Sequence, residues 1–116
     1  MLTEKVNEMN NVDYIEIIIF NTYKITKIDI STKKLKLLID NKIRNITHEK
    51  INELLKIIEY WKSSYQEFIL DAEKFDIKLI SKNKIEKEYQ GNGAYPYNYN
   101  DFKRWISDIL WKVLKK

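Results

Sequence analysis

The chain's one histidine, His48, opens the run His48-Glu49-Lys50-Ile51-Asn52, which lacks the second His of the H-E-x-x-H zinc signature. A single imidazole cannot build a His₂ or His₃ metal site within one chain. With no Cys at all, thiol nucleophiles, thiolate–zinc centres and iron–sulfur clusters are excluded as well. The carboxylates expected near strand ends and turns, Asp29, Asp40, Asp71, Asp76 and Glu86, show no spacing that pairs them for acid–base work. No G-x-S-x-G is present, and Gly91-Asn92-Gly93 precedes a helical pattern without the Lys-Ser/Thr of a phosphate loop. His48 falls in the first turn of a predicted helix and reads as a solvated side chain. The residue types therefore point to no catalytic group, no metal and no cofactor.

What they do point to is recognition. Laid out at about 100° per residue, the C-terminal helical segment centres its apolar stripe near Ile109 and Val113. Trp111 then falls on the opposite side, among Arg104, Ser107 and Asp108. On the preceding helical segment Tyr60 likewise lies on the polar side, with Glu53 and Lys56. Exposed Trp and Tyr beside charged groups are the composition of interface anchors. A second cluster, Tyr89, Tyr95, Tyr97 and Tyr99, holds half of the chain's eight Tyr. Tyr gives rigid amphipathic contact area at small entropic cost, and it can also stack a nucleobase. The partner-contact residues expected from the sequence are thus Tyr60, Tyr95, Tyr97, Tyr99, Arg104 and Trp111, against another protein or a second copy of the chain. A nucleic acid or nucleotide bound by Lys and Tyr is the alternative.

The charge bears on that choice. The net charge is +4 and the isoelectric point about 9.1, a balance that can attract nucleic acid. Yet 19 of the 21 basic residues are Lys, and only Arg44 and Arg104 supply the bidentate fork that reads guanine and clamps phosphate. Ile, Lys and Asn number 19, 19 and 11, against two Ala, two Gly and one Pro. Those are the residues of A/T-rich codons, so the Lys excess reads as codon bias in a low-GC genome or a phage or mobile element within one. Nothing approaches the ~20 apolar residues of a membrane-spanning helix. The N-terminus lacks the apolar region of a signal peptide, so a cytoplasmic location is expected.

The elements that must position these residues follow from periodicity. At 116 residues the chain has the length of one domain. Residues 1–11 read as a flexible arm and residues 12–116 as a single domain. Val12–Phe20, Tyr23–Ile30 and Lys34–Asp40 are β-branched and aromatic, with a slip in alternation near Thr26-Lys27 that predicts a bulge. Thr47 is placed as N-cap of a helix whose stripe runs Ile51, Leu54, Leu55, Ile58, Trp61 and Tyr65, with Ile46 and Ile51 as a hydrophobic staple. Gln66–Lys74 fits a helix end, a loop or a short edge strand around Phe68-Ile69-Leu70. Phe75–Ser81 and Ile85–Tyr89 form a hairpin, and Asn98 caps a second helix on the stripe Phe102, Trp105, Ile106, Ile109, Leu110 and Val113. The expected fold is α+β: an antiparallel sheet of four or five strands in the order βββαββα, with both helices on one face. The matching Lys-apolar-Asp-Ile starts at Lys27 and Lys74, and the Trp-Lys ends at Trp61 and Trp111, raise a ββα duplication.

Between the hairpin and the second helix stands Gly91-Asn92-Gly93-Ala94-Tyr95-Pro96-Tyr97-Asn98-Tyr99. This segment resembles a G-x-N-A-Y-P-x-N-F pattern of small α+β proteins from low-GC bacteria and their phages, with Gly93 in place of Asn and Tyr99 in place of Phe. The resemblance spans Ile77 to Ile106 and implies no activity. The same residues also have a plain local meaning, with Gly for unusual φ, Pro96 for chain direction and Asn98 for capping. The function expected from this whole is a small non-enzymatic protein-binding inhibitor, encoded by a phage or mobile element. An anti-defence (anti-CRISPR-like) or toxin-immunity protein of this kind covers a functional surface of its partner.

Overall fold

The computed structural model describes residues 12–114, and side chains as far as Trp111. The expected arm at residues 1–11 and the side chain of Val113 lie outside what is described. The elements are β1 Tyr14–Asn21, β2 Lys24–Ser31, β3 Lys36–Ile39, β4 Lys42–Asn45, α1 His48–Ile58, β5 Ser64–Gln66, β6 Lys74–Ser81, β7 Lys84–Asn92 and α2 Tyr99–Leu114. The strands form one sheet in the order β4-β3-β2-β1-β6-β7-β5. All neighbours are antiparallel except β5, which runs parallel to β7.

The α+β class and the two helices are as the sequence predicts. The strand count is not: the sheet has seven strands and is mixed, rather than four or five and purely antiparallel. Two strands carry little pattern of their own. In β4, Lys42-Ile43-Arg44-Asn45, only Ile43 is apolar, and it lies on the exposed face. The strand is set by the turn before it, where Asp40 and Asn41 take φ of 50° and 64°, the double positive φ of a tight hairpin. β5 is three residues long and is aligned by pairing Ser64–Gln66 with Gln90–Asn92. The edge strand therefore precedes Phe68-Ile69-Leu70 instead of containing it.

Three further expectations are corrected. The helical stripe does not reach Trp61 and Tyr65, because α1 ends at Ile58 and the chain turns at Glu59, whose N–H donates to the Lys56 carbonyl. No bulge lies at Thr26-Lys27: β1 and β2 pair without a slip from Tyr14↔Ser31 to Asn21↔Lys24. The register shift is instead between β6 and β7, where Leu79 pairs with Lys87 and Ile80 with Ile85, leaving Glu86 of β7 as the extra residue. The ββα duplication is not a repeat of the fold, since two strands separate β2 from its helix and one separates β6 from its own.

One sheet face is apolar in strict alternation: Ile15, Ile17 and Ile19, then Ile28 and Ile30, Leu37 and Ile39, and Phe75, Ile77 and Leu79 are all buried. Both helices cover that face. α1 buries Ile51, Leu54, Leu55 and Ile58, and α2 buries Phe102, Trp105, Ile106 and Ile109 in the same cluster. Thr47 caps α1 as expected, its hydroxyl accepting from the Lys50 N–H at 3.1 Å. The helices run antiparallel: Trp105 Nε1 donates to the Lys50 carbonyl at 2.9 Å near the start of α1, and Asn98 reaches Ile57 near its end.

Leu54 has no exposed surface and sits where α1 meets the sheet. Leu54→Ala removes its side chain without removing the helix, and is expected to cost about 2–5 kcal/mol in a urea unfolding titration. A midpoint equal to the parent's would mean that α1 is not packed as described.

Candidate functional site

The Gly91–Tyr99 segment is the most chemically distinctive stretch of the chain, and its side chains are largely engaged within the fold. Gly91 pairs with Phe75 across β6–β7, and a Cβ at Gly91 would lie 2.0 Å from the Phe75 ring. Gly93 has φ +79°, and a Cβ there would lie 2.2 Å from the Glu67 carbonyl oxygen. Both glycines thus allow a close approach within the chain. Asn98 stands at the start of α2, but its side chain does not cap that helix. Its Oδ1 accepts from Trp61 Nε1 at 2.6 Å, and its Nδ2 donates to the Ile57 carbonyl at 2.8 Å.

Tyr95 and Tyr99 stack with ring centroids 4.6 Å apart. The Tyr95 hydroxyl donates to the Glu73 carbonyl at 2.8 Å, and the Tyr99 hydroxyl donates to the Glu73 carboxylate. Lys103 Nζ holds the other carboxylate oxygen at 2.7 Å. Burial raises the Tyr99 phenol pKa well above the ordinary value, and the Glu73 carboxylate adds to the shift. Of the six expected contact residues, these two Tyr have their hydroxyls committed to the loop that precedes β6.

The other four are exposed but are not brought together: the antiparallel helices leave Trp111 beyond the start of α1, and Tyr60 and Tyr97 at the opposite end, where α1 stops and α2 starts. A shallow groove of about 330 Å³ runs between the helices, lined by Glu53 and Ile57 of α1 and by Asp101, Arg104, Trp105 and Asp108 of α2. Arg104 lines it directly and lies 3.5 Å from Asp101. Trp111 stands two turns beyond Arg104, 61% exposed. Tyr60 lies in the turn that follows α1, 67% exposed. The Glu59 carboxylate beside it raises the Tyr60 phenol pKa, and Tyr97 is near enough to add to the shift. Tyr97 is itself 87% exposed. Glu53, Asp101 and Asp108 give the groove an acidic lining, with Lys50 bridging Glu53 and Asp108. These acids are paired with the bases beside them, Asp101 with Arg104 and the other two with Lys50.

His48 is exposed at the start of α1, as predicted. Among the described residues no group of three or more His, Asp or Glu is arranged to hold a metal ion, and no helix is long and apolar enough to cross a membrane. Acidic side chains do gather on the uncovered sheet face, where Asp29, Glu16, Lys78 and Glu88 form a cross-strand row. Asp76 lies beside that row, 4.0 Å from Lys78. Partial burial raises the carboxyl pKa of Asp76, and a hydrogen bond and charge from Glu88 add to it. Burial likewise raises Asp29, with Glu16 adding and Lys27 opposing.

Two surface features gave no usable signal in the sequence. Glu73 is one acid among many until the fold places Tyr95, Tyr99 and Lys103 around it. Phe68-Ile69-Leu70 is fully legible as an apolar triplet, but nothing local says that it stays in solvent.

The raised carboxyls have a consequence for stability. Asp29 and Asp76 bind protons more tightly folded than unfolded, so stability should rise as pH falls from neutral through their raised pKa values toward the ordinary carboxyl value of 3.8. Asp13 is shifted down, chiefly by the Lys82 backbone N–H and then by Lys33, so its contribution is lost as pH falls below 3.8. Unfolding free energy should therefore peak in mildly acidic solution. Asp76→Asn should raise stability at pH 7 and flatten the acid-side gain in parallel denaturant titrations.

A search for similarity to known proteins finds no family model, no curated protein and no solved structure that matches this chain, so any function has to be argued from the surface chemistry described above.

Proposed function

We propose that this protein is a non-enzymatic binding module that docks on another protein through the groove between α1 and α2, and that it acts by covering a functional surface of that partner. The observation that carries this reading is a groove between the helices with Arg104 on its lining, and strongly exposed aromatics beyond both of its ends, Trp111 at one and Tyr60 and Tyr97 at the other. Large aromatics and Arg supply most hot-spot energy in protein interfaces. A module of this kind needs shape and anchors rather than acids and bases placed for chemistry.

The acidic lining adds a requirement on the partner. Glu53, Asp101 and Asp108 favour a surface that presents basic or amide side chains to the groove, around a patch that receives Trp111. The inhibitor reading, of the anti-defence or toxin-immunity type and encoded by a phage or mobile element, rests on small size, A/T-rich composition and this single-surface design.

The test is a comparison of stability with binding. Immobilised chain is used to capture partners from a lysate of the source organism, and the captured protein is then titrated against purified variants. Trp111→Ala and Tyr60→Ala are each expected to weaken association by more than about 1–2 kcal/mol, the hot-spot scale. The melting temperature should change little, and the parent's red-shifted, quenchable Trp emission should be lost in Trp111→Ala. Unfolding of Trp111→Ala would make Trp111 a core residue and end this reading.

Binding to random single- and double-stranded oligonucleotides at physiological salt is expected to be weaker than the ~10⁻⁴–10⁻⁶ M of ordinary non-specific binders. Tight binding with a steep salt dependence would promote the nucleic-acid reading instead.

A further inference from the structure

At the end of the sheet where β1 turns into β2, two exposed apolar segments lie side by side. One is the hairpin tip, with Phe20, Tyr23 and Ile25. The other is the loop between β5 and β6, with Phe68, Ile69 and Leu70. A shared cleft joins them, lined by Phe20, Asn21 and Thr22 from the hairpin and by Asp71 and Lys74 from the loop and the start of β6. Phe20 also pairs with Lys74 across β1–β6. Phe68 is 98% exposed, Tyr23 95% and Leu70 82%, so these side chains contribute almost nothing to the core.

The loop is nonetheless held at both ends. On one side the Glu67 N–H donates to the Asn92 carbonyl at 2.9 Å, and Gly93 packs against the Glu67 carbonyl. On the other side Glu73 is held by Tyr95, Tyr99 and Lys103, while the Ala72 N–H closes a turn onto the Ile69 carbonyl. The apolar triplet is therefore displayed on an anchored scaffold, which lowers the ordering cost of burying it against something else.

From this end of the sheet we infer that two copies of the chain associate, Phe68 and Leu70 of each packing against the hairpin tip of the other. Size is the first argument. With ~150–250 Å² for each fully exposed aromatic side chain, and somewhat less for each Ile or Leu, the exposed parts of Phe20, Tyr23, Ile25, Phe68, Ile69 and Leu70 amount to roughly 800 Å². That exceeds the ~300–600 Å² of the largest patch on a typical monomer. It matches the ~800 Å² that each partner contributes to a standard interface.

Charge is the second argument. The rim carries acids, Glu67 and Asp71, from the loop and bases, Lys24 and Lys74, from the hairpin and β6, all exposed. Under a two-fold axis that crosses loop onto hairpin, acids face bases in both halves, so the surface is self-complementary. The acids flanking the triplet also oppose insertion into an anionic lipid surface. This contact shares no residue with the groove between the helices, so it goes beyond the binding role proposed above and can fail without it.

The full chain is examined by sedimentation equilibrium at loading concentrations spanning about 1–200 μM, the weak end of the range for interfaces of this size. A monomer–dimer equilibrium is expected within that span. Phe68→Asp and Tyr23→Asp should each raise the dissociation constant at least about tenfold while leaving the far-ultraviolet circular dichroism of the monomer unchanged. Because the chain has no Cys, Leu70→Cys and Tyr23→Cys each introduce a unique thiol, and mild oxidation of an equal mixture of the two variants should cross-link them to each other much faster than either cross-links to Trp111→Cys. A parent that stays monomeric at 200 μM overturns the proposal. So does a dimer that both Asp variants leave intact, or one that only Trp111→Asp dissociates, which would place the seam at the helices. A monomeric parent whose capture of a different protein is lost in Phe68→Asp would also overturn it, assigning the patch to that partner.

Discussion

The buried indole of Trp61 is the point on which the arrangement of this fold depends. Its ring meets Phe75 and Phe102 edge-on at 5.4 Å and Tyr89 at 6.3 Å, so it touches β6, β7 and α2 at once. A buried indole N–H needs an acceptor, and this one finds Asn98 Oδ1 at the start of α2. The Asn98 amide in turn donates to the Ile57 carbonyl, one of the groups that the end of α1 leaves without a helical partner. One side chain and its hydrogen-bond relay thereby set where α1 stops, where α2 starts and how the β6–β7 hairpin lies beneath them.

The neighbouring loop follows from that constraint. Phe75 must lie flat over β7 to reach Trp61, and only a residue without a Cβ at Gly91 leaves it room. The chain leaves β7 through Gly93 and the buried Pro96, which bring Tyr95 and Tyr99 over Phe75 at 6.5 and 5.2 Å. Their hydroxyls then fall on Glu73, and Lys103 completes the charge balance. A motif that could have served a ligand is here the seam that joins hairpin, loop and helix.

With those tyrosines committed, the aromatics left on the surface are those the seam pushes outward. Tyr97, next to Asn98 in the chain, faces solvent because Asn98 faces Trp61. Tyr60 is left outside when α1 gives way to the turn that brings Trp61 in. Glu67–Glu73 is pinned at both ends, so its apolar middle cannot fold back onto the sheet. The exposed Tyr60 and Tyr97 and the apolar loop are all surface consequences of the same internal packing.

The sequence by itself determined the α+β class, the helix start at Thr47 and the apolar faces. These depend on local spacing: alternation along Ile15, Ile17 and Ile19, and the helical stripes of Leu54, Ile58, Trp105 and Ile109, are readable without knowing what they pack against. It also placed Trp111 outside, because helical phase is local too, whereas Tyr60 is exposed on the turn after α1 and not by its phase on the helix. Only the tertiary structure decided the strands β4 and β5, which are too short to carry a pattern and exist by pairing with neighbours. The same holds for the end of α1, where a run of helical spacing through Trp61 and Tyr65 is overridden because the buried indole gains more by turning into the aromatic cluster. It also decided the roles of Tyr95, Tyr99 and Asn98. Their side chains are equally suited to a partner or to the fold, and the choice rests on Glu73, Ile57 and Trp61, which lie more than 20 residues away in sequence and arrive only when the sheet closes.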